Sequence, residues 1–596
     1  MIRILLLFTF FSLSIGVFAE NIPQSFFEKN SSYIEKIDVC TDRDVYCVNE
    51  LLEFSILNFS PDTLKDVQWS SVVYVEIISC DGHSFFQGKY KFGKNGTQSN
   101  LRIPKSILTG NYYLKIYTKW MRNYSNLNYA YKAITIINPF EPAVYSKPEM
   151  HISDFIIDTI RSIDFITINE FPFSKGKNKK IELSAQKQVS SISNEEIEVT
   201  INGVAVKIKK SDLYKFKDLD LANVKSELKE NNSKAIVSIA DSCTLTGLSH
   251  LKLKSIKKDD TFKLNYYPET RGITLSGSII DSEKKIPVKF VRVNVTIFDG
   301  YTESISSITD SSGRFYFALP ELVGNKELFI SSDKKNNIVH KVLIDNDFCT
   351  RSISLPFIPF TLNSRLWSYY NQLSLKSQIN AQYYNEKEFD TDLGKTILSY
   401  YKEPSSSIQF DDYIELPTIF DYFYELIPLA GFRKSNNESS LHVIGNLAEL
   451  EIHDPLVLMD FVAISDIDNL LNVDPGKIKS VEVFNYPYIK GDITYGGIVN
   501  IKSKKADLAG IDLPSTGLFF NYNFYQAQTE QTIIEKGIEL PNLKNVLYWN
   551  PNINISEDPF EVLIDYGDNI EKYSLQVQKI DKNGILTKKI FPLNNQ

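Results

Sequence analysis

A chain of 596 residues with 43 % hydrophobic, 13 % aromatic and 23 % charged side chains is globular. It is too long for one ordinary core, since a domain per about 150 residues points to roughly four. The composition excludes a disordered, collagen-like or coiled-coil polymer, and a formal charge of −8 argues against a general nucleic-acid binder, which needs a basic surplus to neutralise phosphates.

At the N-terminus, Met1-Ile2-Arg3 precedes an apolar run from Ile4 to Phe11, and Val17-Phe18-Ala19 supplies a small-x-small cleavage site before Glu20. The pattern predicts a cleaved secretory signal over 1–19. No Cys stands at the cut, so an acylated N-terminus is not expected. No later apolar stretch reaches the ~18 residues of a transmembrane helix. The five Cys (Cys40, Cys47, Cys80, Cys243, Cys349) show no CxxC or metal-ligand spacing. Cys40 and Cys47 flank a loop that can close as a disulfide in an oxidising compartment; two unbonded thiols on neighbouring strands is the other reading.

From Ile34 to Pro139 the signal is β: short runs such as Leu51 to Leu57, Val72 to Ile78, Phe85 to Phe92, Tyr112 to Tyr117 and Tyr131 to Ile137 are separated by Asp81-Gly82, Gly93 to Gly96 and Thr109-Gly110-Asn111. Their spacing predicts an antiparallel sandwich over 33–139. The residues Thr41 to Tyr46, Val73-Tyr74-Val75-Glu76, and Gly110 to Tyr117 leading into Trp120-Met121-Arg122-Asn123 resemble the macroglobulin-like MG2 domain of exported Bacteroidota proteins. Lys180-Ile181-Glu182-Leu183 and Ile197 to Gly203 continue the alternation, so a second macroglobulin-like sandwich is expected over 163–255, interrupted by a polar insert from Ser211 to Ser233.

Leu275 to Asp281, Val291 to Phe298 and Thr309 to Phe317 read as strands joined by turns, with Asp310 to Gly313 as a tight connection. This stretch, 272–350, resembles the carboxypeptidase regulatory-like domain, a transthyretin-like sandwich whose name implies no peptidase activity. A partly helical connector is predicted over 362–410, its helix within Trp367 to Asn385. Thr418 then opens a better helix, with Asp421 placed for a capping box and Phe420, Phe423, Tyr424 and Ile427 on one face.

Pro455 to Asp460 reads as a buried strand, Asp466 to Leu471 as a short helix and Ile478 to Val483 as another strand. Tyr486-Pro487-Tyr488 and Tyr495-Gly496-Gly497-Ile498-Val499-Asn500-Ile501 follow. This order over 411–510 resembles the plug domain of TonB-dependent outer-membrane receptors. Those plugs usually carry Asp-Gly after the first strand, whereas Asp460 is followed here by Phe461, so a different hairpin turn is expected. The tail, 518–596, holds further β segments and reads as a last, truncated sandwich. The expected fold class is therefore mainly β: tandem β-sandwich domains, macroglobulin/Ig-like and transthyretin-like, with a small α+β plug-like domain.

A receptor barrel of 22 strands needs on the order of 220 residues in strands alone. Only about 90 residues follow Lys505, so the plug-like unit either occupies or abuts another chain's barrel or is a free binding module. Motif chemistry is sparse. No Cys stands in a Cys-Gly-Glu-Gln thioester, the six His are scattered without HExxH spacing, and no Walker, GxGxxG or GxSxG motif occurs. Asp466 and Asp468 are read as a helix start rather than a metal pair. No catalytic, metal or cofactor residue is expected, nor a convergent cluster of Asp, Glu, His or Cys. Tyr486, Tyr488 and Tyr495 are the candidate interaction residues, and Trp120, Trp367 and Trp549 are weaker candidates for stacking. The resemblance implies a non-enzymatic exported binding or scaffold protein, in the periplasm or peripheral to the outer membrane, with an outer-membrane protein partner and no nucleic acid. The alternative is an accessory or gating subunit of a TonB-dependent-type transport complex.

Overall fold

The computed structural model describes residues 33–59, 69–149, 151–158, 179–184, 196–201, 204–209, 235–246, 248, 252–255, 262–298, 303–333, 339–360, 364–389, 403–435, 438–490, 493–513, 516–533, 545–553, 560–564, 573–580 and 586–593. The leader at 1–19 and the polar insert at 211–233 lie outside them. Among the described residues the fold is mainly β, built as several small sheets.

In the first sandwich, Leu51–Asn58 sits between Ile37–Thr41 and Thr97–Arg102. The opposing sheet runs Val45–Cys47, Ala130–Ile137, Gly110–Tyr117, Val72–Ile78, Ser84–Lys91, with its first pair parallel and the rest antiparallel. Alternation along Val72–Ile78 sends Val73, Val75 and Ile77 into the core with Phe54, Ile56 and Leu114. Val72 and Tyr74 point the other way, yet they too are buried, packed with Leu275, Val293 and Phe315 of the next sandwich. Because both faces of this strand are covered, it reads as an unbroken apolar run.

The second sandwich pairs the sheet Arg314–Ala318, Thr274–Asp281, His340–Ile344 with the sheet Glu303–Ile308, Arg292–Phe298, Asn325–Ser332, Leu518–Asn523. The Asp310 turn is made as its residues suggest. Its carboxylate accepts from the Ser312 and Arg314 amides at 2.8 and 2.9 Å, and Gly313 takes φ +73 where a Cβ would meet the Ile279 carbonyl at 2.9 Å.

The tail does not form a sandwich of its own. Leu518–Asn523 closes the second sandwich, Gln528–Ile533 pairs with Tyr384–Phe389 after the helix Ser364–Tyr383, and Phe560–Ile564 pairs with Lys179–Ser184. Val546–Ile553 and Tyr573–Ile580 flank Ala235–Asp241 on its two sides, and Leu586–Leu593 adds to the outer edge. Alternation marks the tail as β, but each of its strands joins the sheet of a strand far upstream. Residues 403–511 are thus an insertion between two visits of the chain to the same framework.

The inserted unit has a five-stranded sheet in the order Ser406–Gln409, Ile478–Phe484, Ile498–Ser503, Leu456–Met459, Val462–Ala463. Helices Ile419–Glu425 and Ile467–Leu471 and the hairpin Ala430–Ser435/Glu438–Val443 cover a core of Phe423, Leu441, Met459, Leu470, Val481 and Ile501. The glycine-free hairpin keeps a two-residue loop with positive φ at both positions, 47° at Asp460 and 67° at Phe461, the sign pattern of a type I′ turn. The cost of that backbone is offset locally. The Asp460 carboxylate accepts from the Ser503 amide at 2.7 Å, the Ser503 hydroxyl at 2.6 Å and the Leu508 amide at 2.8 Å.

No disulfide joins Cys40 to Cys47. Cys40 packs with Leu57 and Ile236, Cys47 with Val45, Ile137 and Leu373, so adjacent elements direct the two thiols into different apolar clusters.

Candidate interaction face on the inserted unit

The three tyrosines singled out above do not form an open binding surface. Tyr488 and Tyr495 are buried with Leu458, Phe484 and Ile498, and Tyr486 packs against them half-buried. Tyr495 faces the second sandwich: the Arg292 guanidinium lies 5.3 Å from its ring centroid. Beside it, the Thr296 hydroxyl donates to the Phe461 carbonyl at 3.2 Å. Tyr495 thus helps seat the inserted unit on the framework, and the short strands Tyr488–Lys490 and Ile493–Tyr495 turn Tyr488 and Tyr495 inward.

Helix Ile419–Glu425 behaves differently. Its start follows the sequence, with Thr418 and Asp421 forming the capping box: the Asp421 amide donates to Thr418 Oγ1 at 3.2 Å and the Thr418 amide to Asp421 Oδ2 at 3.1 Å. Its apolar face is split, however. Tyr422 and Phe423 go inside, Tyr422 stacking on Phe410 at 3.8 Å, while Phe420 and Tyr424, one turn apart, stay outside with parallel rings 6.2 Å between centroids. Phe432, on the neighbouring hairpin, continues the row 6.2 Å from Phe420. Tyr424 is 81 % exposed, Ile414 in the preceding loop 89 % and Ile452 beyond it 72 %; Tyr413, Ile444 and Leu447 are exposed as well. Scattered surface apolar residues are ordinary; what sets this unit apart is that Phe432, Phe420 and Tyr424 adjoin ring to ring in one row.

The same stretch is strongly charged. Residues 403–454 contain Glu403, Asp411, Asp412, Glu415, Asp421, Glu425, Glu438, Glu449, Glu451 and Asp454 against only Arg433 and Lys434. Their net −8 equals the charge of the whole chain, so everything else balances to zero. Asp411 binds Lys504 at 2.8 Å and, through that hydrogen bond, holds the lysine above its ordinary pKa. Asp412, Glu415, Glu425, Glu449, Glu451 and Asp454 are exposed. The asymmetry lies in the summed charge of the stretch and in no single motif.

Other candidates resolve as structure. Trp120 is fully buried, its indole N–H donating to the Tyr33 carbonyl at 2.8 Å, and Arg122 and Asn123 hold the linker at 265–266: Arg122 stacks on Tyr266, and the Asn123 side chain accepts from the amides of Asn265 and Tyr266. Trp549 packs beside Cys40, whereas Trp367 is exposed. Asp466 is a helix N-cap, accepting from the Asn469 amide at 3.2 Å.

One convergence was not foreseen. Cys80 Sγ lies 3.9 Å from His151 Nδ1 and 3.3 Å from the Tyr145 hydroxyl, while His151 Nε2 is 2.6 Å from the Leu355 carbonyl. Burial pushes the Cys80 thiol up, so it stays protonated, and at 1 % exposure it is closed to substrate. The cluster pins two linkers to the first sandwich, with the Leu355 amide donating to the Cys80 carbonyl at 2.7 Å. Among the described residues no group of three or more His, Cys, Asp or Glu could hold a metal ion, and no helix is long and apolar enough to cross a membrane.

No family model and no curated protein matches the chain. Solved structures do. Escherichia coli alpha-2-macroglobulin activated by porcine elastase is 8 % identical with a TM-score of 0.20, over 94 % of this chain and 43 % of that one. Salmonella alpha-2-macroglobulin reacted with methylamine is 9 % identical with a TM-score of 0.22, over 94 % and 39 %. A tetra-tandem repeat from the extending region of a large adhesion protein is 9 % identical with a TM-score of 0.13, over 94 % and 100 %. The chain spans about two fifths of the macroglobulins' length. Likeness of this size carries no argument, and the fold rests on the strand pairing above.

Proposed function

We propose that this chain is a non-enzymatic, exported multidomain binding or scaffold protein, peripheral to the outer membrane, in which the β-sandwiches form a framework and the inserted unit engages a protein partner. The observation that carries this reading is the row of adjoining rings on that unit, with Phe420 and Tyr424 exposed and Phe432 half-buried beside them. A soluble protein retains such a surface at a cost in solubility unless something covers it.

Crosslinking mass spectrometry in cells of the native host tests the proposal. The expected result is a set of crosslinks from residues 403–454 to an outer-membrane protein. Recovery of the chain as an isolated monomer, with no crosslinks from this region to any membrane protein, would count decisively against it.

A further inference from the structure

Resting on that reading, we infer that the exposed apolar face of the inserted unit docks a cationic segment of its partner, one that combines Lys or Arg with aliphatic or aromatic side chains. The apolar row Phe432, Phe420 and Tyr424, whose rings adjoin one another, supplies the area to be covered. The charge around them selects what covers it. Residues 403–454 carry ten acidic side chains against two basic ones, and most of those acids are exposed rather than neutralised within the fold.

Three occupants compete, and electrostatics separates them. A second copy meeting the same face would bring an equal negative charge against it, and like-charge juxtaposition opposes closure. An anionic lipid surface would be repelled for the same reason. A basic segment is attracted at long range, and because Asp412, Glu415 and Glu425 are exposed, its charge is met at the surface without requiring a buried ion pair. The two cations in the stretch do not reverse this: Arg433 and Lys434 adjoin on one hairpin strand, whereas the acids extend from Glu403 through Asp454.

Binding of short fluorescent peptides to the full chain, read by anisotropy, tests the inference. One peptide alternates Lys and Leu, a second alternates Glu and Leu, and a third replaces Leu by Ser while keeping Lys. The Lys/Leu peptide should bind, the Glu/Leu peptide should not, and the Lys/Ser peptide should bind at least about tenfold more weakly. Raising salt from about 0.05 M to about 0.5 M should weaken the Lys/Leu complex by about tenfold or more. The triple variant Asp412→Lys, Glu415→Lys, Glu425→Lys should lose a similar factor, and Phe420→Ser with Tyr424→Ser should as well. None of these side chains caps the helix or bridges to Lys504, and the salt series on the unaltered chain needs no variant at all.

Equal binding of the Glu/Leu peptide, or affinity unaffected by both salt and the charge reversals, overturns the inference. So does dimerisation abolished by Phe420→Ser, or binding to anionic vesicles through this face. Crosslinks from residues 403–454 to a membrane protein, combined with charge-blind peptide binding, would leave the proposed function standing and remove only the partner chemistry.

Discussion

Lys89 of the first sandwich donates to the carboxylate of Asp347 at 2.5 Å, in a position buried from solvent on both sides. The same carboxylate accepts from the Tyr522 hydroxyl of the tail strand and lies 3.9 Å from Lys119, whose ammonium is 3.4 Å from Glu269. Lys89 also sits 3.9 Å from the centroid of the Tyr522 ring. Three separate stretches of chain therefore meet on one buried charge. Burial alone would raise the Asp347 carboxyl, but Lys89, Lys119 and the Tyr522 hydroxyl hold it below the usual carboxylate range.

Asp347→Asn leaves the buried Lys89 ammonium without a carboxylate partner and should cost on the order of 3–5 kcal/mol. Calorimetry of the purified chain should show a lower Tm with the transition of the two sandwiches broadened. The double variant Lys89→Met, Asp347→Leu should recover much of the loss, since a well-packed apolar pair removes the desolvation term with the charge. A single variant as stable as the native chain would show that the network does not join the sandwiches.

Glu35 predicts a pH dependence. Burial raises its carboxyl from 4.5 to about 7, only partly offset by hydroxyl donors from Thr118 and Ser70. The folded state therefore binds this proton more tightly than the unfolded state does. Stability from this group is fully present below about pH 4.5 and is lost as pH rises through about 7, for roughly 3 kcal/mol in total. Asp42, raised to about 6 by burial, acts in the same direction. Glu35→Gln should flatten the fall, measured as urea midpoints between about pH 5 and pH 8. An unchanged slope would place Glu35 in water.

The Asp460 hairpin offers a local test. Asp460→Ala removes three hydrogen bonds that hold a positive-φ pair, and should destabilise the inserted unit by about 2–4 kcal/mol. Hydrogen exchange should accelerate in Leu456–Met459 and Val462–Ala463 first. Asp460→Asn should be milder, because Asn tolerates the left-handed region and keeps some of the acceptor capacity.

Removing residues 516–596 should act far from the cut. Protection from exchange should fall in Lys179–Ser184, Ala235–Asp241, Asn325–Ser332 and Tyr384–Phe389, which lose their tail partners. Residues 403–511 should keep theirs. Loss confined to the neighbourhood of residue 516 would mean that the tail strands are not paired upstream.

The legible part of this fold was local. Turn residues such as Asp310 and Gly313, the Thr418–Asp421 capping box and the doubly buried run Val72–Ile78 all carry their conformation in a few neighbouring side chains. The destination of the tail was not legible, because alternation in Leu518–Asn523 says that it is a strand and is silent on which open edge it will meet. Tyr488 and Tyr495 misled for a related reason: an aromatic beside a turn looks available until the sheet that buries it is known. The acidity around the exposed Phe420 and Tyr424 is marked by no single side chain. It is a property of the whole stretch 403–454, readable as summed charge.

The return of the tail to earlier sheets also sets an order of events. Asn325–Ser332 leaves the ribosome about 190 residues before the strand that completes its sheet, and Ala235–Asp241 waits more than 300 residues for its partners. At a few residues per second that interval is tens of seconds, long against the time in which an isolated hairpin or helix forms. The inserted unit, whose contacts are nearly all its own, can mature during the wait. The sandwiches must hold unpaired edges throughout, so a chaperone that shields strand edges would matter more to the yield of this protein than one that assists its central unit.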